Sequence, residues 1–362
     1  MAEADARWED RSADPAPRWR SLLDRALLGR SSPGDLDYDG RFGRPTAPYA
    51  PDRPYDDEPM PPSNGTRPYD DAPPRTPRSA RRAPSVEYQA AQPDPTEQLA
   101  QILRQEIPSP KVLAFANPKG GVHKTTATVL TAATIGSVRG KGVIAWDDNE
   151  LRGTLGLRAG SARHARTIRH LIADLVRVEH ATGYDLYDML DDYLRHASDG
   201  SYDVLAGEEN PRFAQRLDPH TVRRVLELLR RTHDVICVDT GNNVESPNWQ
   251  TVLQAADQLV VTSVPREDAA FTADWMLDLL DEAGMEELVA NAVTLLSCPT
   301  PNPTPLIDDL AGHFRTRTRA VVVVPYDPAL ESGSNIEYPM LAAATKRAWL
   351  KAAAVMMDPF AR

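Results

Sequence analysis

The chain has 362 residues, 32 of them proline, and carries 52 acidic against 41 basic side chains for a formal net charge of −11. That balance excludes a basic coat for nucleic acid and leaves DNA binding only to a local patch. No apolar run reaches the ~18–20 residues that span a bilayer, and the polar start MAEADARWED is unlike a secretory signal peptide, so a cytoplasmic protein is expected.

Proline is unevenly spread, with 17 in residues 1–100. The same stretch holds 14 arginines and 18 acidic groups, with long segments lacking Ile, Val or Phe. Such a segment buries too little apolar surface to offset its ordering entropy, so residues 1–95 read as a disordered Pro/Arg/Asp-rich leader. One interruption lies near 17–30, where Trp19, Leu22, Leu23 and Ala26 or Leu27 fall on one helical stripe. Too short to be stable alone, it reads either as a docking peptide for a protein partner or a membrane surface, or as a transient helix without a client. Residues 31–94 form a tether biased toward extended conformations.

Residues 96–362 alternate between strand and helix signals. KVLAFA (111–116) is a short apolar run, followed by a glycine turn and a helical stretch through Val138. A second run at 143–146 ends in acids; further strand-like runs fall at 202–206, 234–238, 258–264, 292–297 and 320–324. Helical patterns cover 165–179, 184–196, 218–231 and 337–357. Near-continuous apolar strands separated by helices predict an α/β fold with a doubly wound, mostly parallel sheet covered on both faces. Ligands then sit at the carboxyl ends of the strands. Cys237 and Cys298 lie in apolar runs and read as buried reduced thiols; the eight histidines show no metal-ligand spacing.

The segment after KVLAFA is Asn117-Pro118-Lys119-Gly120-Gly121-Val122-His123-Lys124-Thr125-Thr126. A strand, a glycine loop and a helix start aim backbone N–H groups at anionic oxygens; Lys124 adds a charge and Thr125 a hydroxyl suited to Mg²⁺. The motif G-x-x-x-x-G-K-[ST] is not met, because Pro118 and His123 take its glycine positions. The narrower pattern Lys-Gly-Gly-x-x-Lys-Thr resembles the deviant Walker A loop of the ParA/MinD family of dimeric P-loop ATPases. The resemblance implies that Lys119 is the signature lysine acting across an ATP-sandwich homodimer. It also implies that residues 119–126 cradle ATP, with Lys124 on the phosphates and Thr125 on Mg²⁺. His123 departs from it by placing a side chain where the family has glycine.

Beyond the second strand stands Trp146-Asp147-Asp148-Asn149-Glu150-Leu151-Arg152-Gly153. Against the family's Asp-x-Asp-x-x-Gly, alignment on Gly153 makes Asp148 the first acid and Glu150 the second, the pair that positions the attacking water. Alignment on the strand end promotes Asp147 instead. The strand running into Asp239-Thr240-Gly241 resembles a Walker B segment, in which Asp239 holds the metal. Val321 to Val324 followed by Pro325-Tyr326-Asp327 resembles the family's last core strand and its adenine-side loop.

The resemblance covers roughly residues 109–357 and implies an ATP-driven switch that positions DNA, division machinery or a secretion complex. The Arg-rich, Lys-poor composition, the Pro-rich leader and the motifs NPKGGVHKTT and WDDNELRGTLG are similar to the actinobacterial MinD/ParA-like group associated with type VII secretion. Nonspecific DNA binding would draw on Arg315, Arg317 and Arg319, or on Lys346, Arg347 and Lys351. A peripheral membrane anchor would use residues 19–28, since only 358–362 follow the last helix. The reading from a different class is a nucleotide-binding interaction protein in which His123 has ended hydrolysis.

Overall fold

Eight strands form one sheet in the order β3-β4-β2-β5-β1-β6-β7-β8, in a computed structural model that describes residues 94–149, 153–159, 166–208, 217–302 and 304–361. The strands are β1 (Lys111–Ala116), β2 (Val143–Asp148), β3 (Arg195–His196), β4 (Asp203–Leu205), β5 (Val235–Thr240), β6 (Gln258–Ser263), β7 (Val293–Ser297) and β8 (Ala320–Val324). All pairings are parallel except β3 with β4. The expected doubly wound, mostly parallel sheet is therefore present. The 17–30 segment and residues 1–93 of the leader lie outside the described residues, while Asp94 and Pro95 begin the first helix.

Three helices cover one face: α1 (Pro95–Arg104), α2 (Lys124–Arg139) and α11 (Ala343–Met357). Their buried side chains pack with Leu113, Phe115, Val143, Ala145, Val235 and Cys237. The other face carries α4 (Ile168–His180), α5 (Tyr184–Asp191), α6 (Pro219–Arg230), α7 (Pro247–Ala255), α8 (Glu267–Glu282) and α10 (Leu306–Phe314) over Val112, Ala114, Ile144, Trp146, Ile236 and Val238. Two short helices, α3 (Leu155–Arg158) and α9 (Glu286–Ala290), complete the set. This alternation of buried residues along each strand is the period-2 geometry of a sheet covered on both sides.

Helix α2 is almost wholly buried and is built from small residues, among them Ala127, Thr128, Ala132, Ala133 and Gly136. Gly136 is required by a close approach: a Cβ there would stand 2.2 Å from the carbonyl oxygen of Ser201. Gly140, at φ +82°, ends the helix by donating its N–H to the Gly136 carbonyl.

The structure departs from the sequence reading in three places. The expected helix over 184–196 stops at Asp191, and Arg195–His196 turns back as an antiparallel edge strand on β4. Strand β2 continues through both acids to Asp148, because Asp147 and Asp148 stay in register with Asp239 and Thr240 of β5. The last helix starts at Ala343, after a 3-10 turn over Tyr338–Met340 that contains Pro339.

Candidate functional site

Strand β1 is the centre of the sheet, and the chain leaves its carboxyl end at Asn117, which is fully buried. The Asn117 amide donates to the carbonyls of Thr262 (2.8 Å) and Ala269 (3.2 Å), while its Oδ1 accepts from the Lys119 N–H (2.9 Å) and the Thr272 hydroxyl (3.0 Å). Val122 adds an apolar anchor against Val264 and Ala269. The loop is thereby tied to β6 and α8 before it turns into α2. The turn uses two left-handed residues, Gly121 at φ +74° and His123 at φ +65°. His123 is the one non-glycine among the described residues with positive φ, and burial together with the Arg158 charge lowers its imidazole pKa.

Lys124 opens α2 and is buried. Its ammonium donates to the carbonyls of Asn117 (2.8 Å) and Lys119 (3.1 Å) and to Asn242 Oδ1. Burial pulls its pKa down, against the opposing pull of Asp239. Thr125 donates to Asp239 Oδ2 at 2.5 Å. Burial and the neighbouring Asp147 push the Asp239 carboxyl up, against the Thr125 hydrogen bond and the Lys124 charge. A buried carboxylate raised by a second carboxylate and touched by a hydroxyl is a donor set that a hard divalent cation fits.

Alternation along β2 decides which acid faces this cluster. Asp147 pairs with Asp239 and follows Val143 and Ala145 on the α2 face, whereas Asp148 follows Ile144 and Trp146 on the other. Asp147 Oδ2 accepts from the Leu155 N–H at 2.9 Å, and a Cβ at Gly153 would lie 2.8 Å from the same oxygen. The structure thus brings Asp147, Asp239 and Thr125 together and sets Asp148 apart. Glu150 lies outside the described residues.

A cleft of about 460 Å³ takes in Thr125 and reaches the carboxyl ends of β7 and β8. Gly121, His123, Lys124, Thr125 and Thr126 line one end, and Cys298, Pro325, Tyr326 and Asp327 the other. Tyr326 turns its hydroxyl to Glu331 Oε2 (2.7 Å). Asp327 commits both oxygens to backbone, accepting from Ala329 N–H (3.0 Å) and Ala342 N–H (2.9 Å), so it clasps the loop to α11. Gly120 approaches Asn242, which a Cβ would meet at 3.8 Å from Nδ2. Lys119 extends the other way, to Asp268 Oδ2 at 3.0 Å.

The sequence reading misses two residues that the fold brings in. Asn242 reaches Lys124 from the end of β5, and Arg158 enters the cleft from α3, donating to Thr126 Oγ1 at 2.8 Å. A single arginine at the end of the four-residue α3 is no local signal, because what places Arg158 there is the packing of α3 on α2. Of the cations considered for DNA, Arg317 is ion-paired with Asp274 and Asp278, Arg319 donates to Asn291 O, Val355 O and Gln258 Oε1, and Lys346 to Pro339 O. Arg315, Arg347 and Lys351 are exposed. No helix among the described residues is long and apolar enough to cross a membrane.

A mostly parallel sheet with a lysine-bearing glycine loop at its central strand and a hydroxyl–carboxylate pair beside it has the fold of the ParA/MinD P-loop ATPases. The chain is 17% identical to the crystal structure of the cell division ATPase MinD from Pyrococcus furiosus, with a TM-score of 0.51 over 67% of this chain and 97% of that one. It is likewise 17% identical to a ParA family ATPase from Chlorobium tepidum, with a TM-score of 0.55 over 68% and 98%. Among curated proteins it is 27% identical over 255 residues to the ESX-1 secretion-associated protein EspI of Mycobacterium tuberculosis. That match takes in 69% of this chain, which spans 37% of the length of the relative. No family model matches the chain.

Proposed function

We propose that this chain is an ATP-binding switch of the ParA/MinD type, dimerising around nucleotide and Mg²⁺ and regulating a secretion-associated macromolecular cargo. The observation that carries the reading is the Thr125–Asp239 pair beside Lys124 at the carboxyl end of β1. Residues 119–126 would hold the phosphates, with Thr125 and Asp239 on the metal and Asp147 beside them. Thr125 and Asp239 would hold Mg²⁺, whose Lewis acidity would offset the negative charge of the phosphates. Lys124 exchanges two neutral carbonyls and an amide for phosphate oxygens, a trade favoured because its ammonium is buried. Asn242 receives Lys124 at the end of β5, so it would sense whether phosphate has drawn the lysine away. The base would lie against Pro325 and Tyr326, with Asp327 shaping that loop through its backbone bonds.

The cargo reading rests on EspI, whose name ties that protein to ESX-1 secretion, together with the Pro-rich leader as a tether to a protein partner. A second reading, nucleotide binding without turnover, is favoured by one observation: the half-buried His123 side chain lines the cleft. Titration of the full chain with ATP, with and without Mg²⁺, tests the first claim. Saturable Mg²⁺-dependent binding, lost in Lys124→Ala, is expected; no binding at millimolar nucleotide overturns it. Phosphate release that disappears with Lys124→Ala selects the hydrolysing switch, and binding without release selects the second reading.

A further inference from the structure

Arg158 is a cation lining the cleft with no counterion among the described residues. Its guanidinium is half-buried, and burial lowers its pKa with no carboxylate opposing the shift. Among the described residues its side chain has one hydrogen-bond partner, the neutral Thr126 hydroxyl at 2.8 Å. The two acids at the far end of the cleft are engaged elsewhere, Glu331 by the Tyr326 hydroxyl and Asp327 by backbone N–H groups. A desolvated guanidinium facing neutral groups and an imidazole is stabilised by an anion that enters with a ligand.

Its place along the cleft says which anion. Both threonines line the cleft, but Thr125 donates to Asp239 while Thr126, the next residue of α2, accepts from Arg158, whose guanidinium a Cβ on Gly333 beyond the base-side loop would meet at 3.4 Å. Arg158 therefore stands between the phosphate loop and the base-side loop. Its carbonyl also accepts from the Ile336 N–H at 2.9 Å, tying the two ends together. Resting on the nucleotide reading above, we infer that Arg158 is a nucleotide-binding residue that takes the phosphate nearest the sugar, with Thr126 as its positioning partner. It supplies from the same subunit a fork of donors that a lysine cannot reproduce.

Calorimetric titration of the full chain with AMP, ADP and ATP in Mg²⁺ tests this, using wild type, Arg158→Gln and Arg158→Lys. A charge-assisted phosphate contact is worth roughly tenfold to a hundredfold in affinity. Arg158→Gln should weaken ADP and ATP by the same factor of that order and flatten the salt dependence of binding, and Arg158→Lys should restore part of the loss. The nucleotide-free melting temperature should stay unchanged, which separates binding from a structural role. Unchanged ADP affinity in Arg158→Gln, or a loss confined to ATP, overturns the assignment while leaving the nucleotide reading intact. Failure of the wild type to bind any of the three removes both.

Discussion

Lys119 Nζ stands 3.0 Å from Asp268 Oδ2, so the lysine that sets this loop apart is held by an acid of its own chain at the start of α8. Partial burial raises the Asp268 carboxyl, but hydrogen bonds from Lys119 and Arg266 outweigh it and leave the carboxyl below its ordinary range. The two side chains are 39% and 41% exposed, and after solvent screening such a pair is worth about 0–1 kcal/mol. Asp268→Asn should therefore barely move the melting temperature. If Lys119 must leave this acid to act across a dimer, the same variant should raise the dimer fraction at limiting ATP, measured by size-exclusion chromatography with light scattering. A lower dimer fraction would mean that Asp268 aims Lys119 instead of competing for it.

Thr125 and Asp239 make a separable prediction. Thr125→Val keeps the shape of the first turn of α2 but removes the hydroxyl that donates to Asp239 Oδ2 at 2.5 Å. Nucleotide affinity in Mg²⁺ should fall to the level seen in EDTA, and the EDTA value should be unchanged, because Lys124 and the loop amides remain. An equal loss in both conditions would show that the hydroxyl serves the loop fold and not the metal.

His123→Gly tests whether the departure at the loop is strained. A side chain at φ +65° costs about 1–2 kcal/mol relative to glycine, and the His123 side chain makes no capping hydrogen bond that would offset it. Glycine adds unfolded-state entropy of about 0.5–1 kcal/mol in the opposite direction. Urea unfolding should find the variant equal to wild type or up to about 1.5 kcal/mol more stable, unlike the usual destabilising outcome of substitution at a packed position. Nucleotide affinity should rise as the imidazole leaves the cleft; a drop would make His123 part of the binding surface.

What was legible in the sequence was local. KVLAFA and the later Val-rich runs are continuous apolar stretches, and each became a strand in the centre or right half of the sheet. The residues of the 117–126 loop are consecutive, so the motif was readable before the contacts of Asn117 and Val122 to β6 and α8 that hold it. Helix α1 also carried a readable start, with Asp94 accepting from Thr96 N–H and Pro95 at the first position, although its neighbourhood of prolines hid it. The acids at 147–148 were ambiguous because alternation has meaning only once the register with β5 is known. Arg195–His196 reads as helix in sequence because its strand partner, Asp203–Leu205, supplies the pairing from outside the window. Arg158 reaches the cleft and Asn242 reaches Lys124 only through long-range packing, and no spacing rule marks them.

Asp203 ties the sheet edge to the core and makes stability depend on pH in one direction. Its Oδ1 accepts from His196 Nδ1 at 2.7 Å and its Oδ2 from His233 Nε2 at 3.1 Å. His196 faces Asp191 at 3.2 Å through its other nitrogen, and His233 faces the Thr232 hydroxyl at 2.8 Å. Burial raises the Asp203 carboxyl, yet the hydrogen bonds from the two histidines outweigh it and leave it below the ordinary aspartate value. A carboxyl whose folded pKa is depressed binds its proton more readily when unfolded. Its stabilisation is therefore complete above the unfolded pKa of about 3.9 and is lost as pH falls through the lower folded value. Asp203→Asn should cost about 1–2 kcal/mol at neutral pH, one charged hydrogen-bond pair partly replaced. The gap between variant and wild type should hold down to about pH 5 and close below about pH 4. Urea unfolding across that range would show it, and a gap that stays constant at pH 3 would mean that shape, not charge, is what Asp203 contributes.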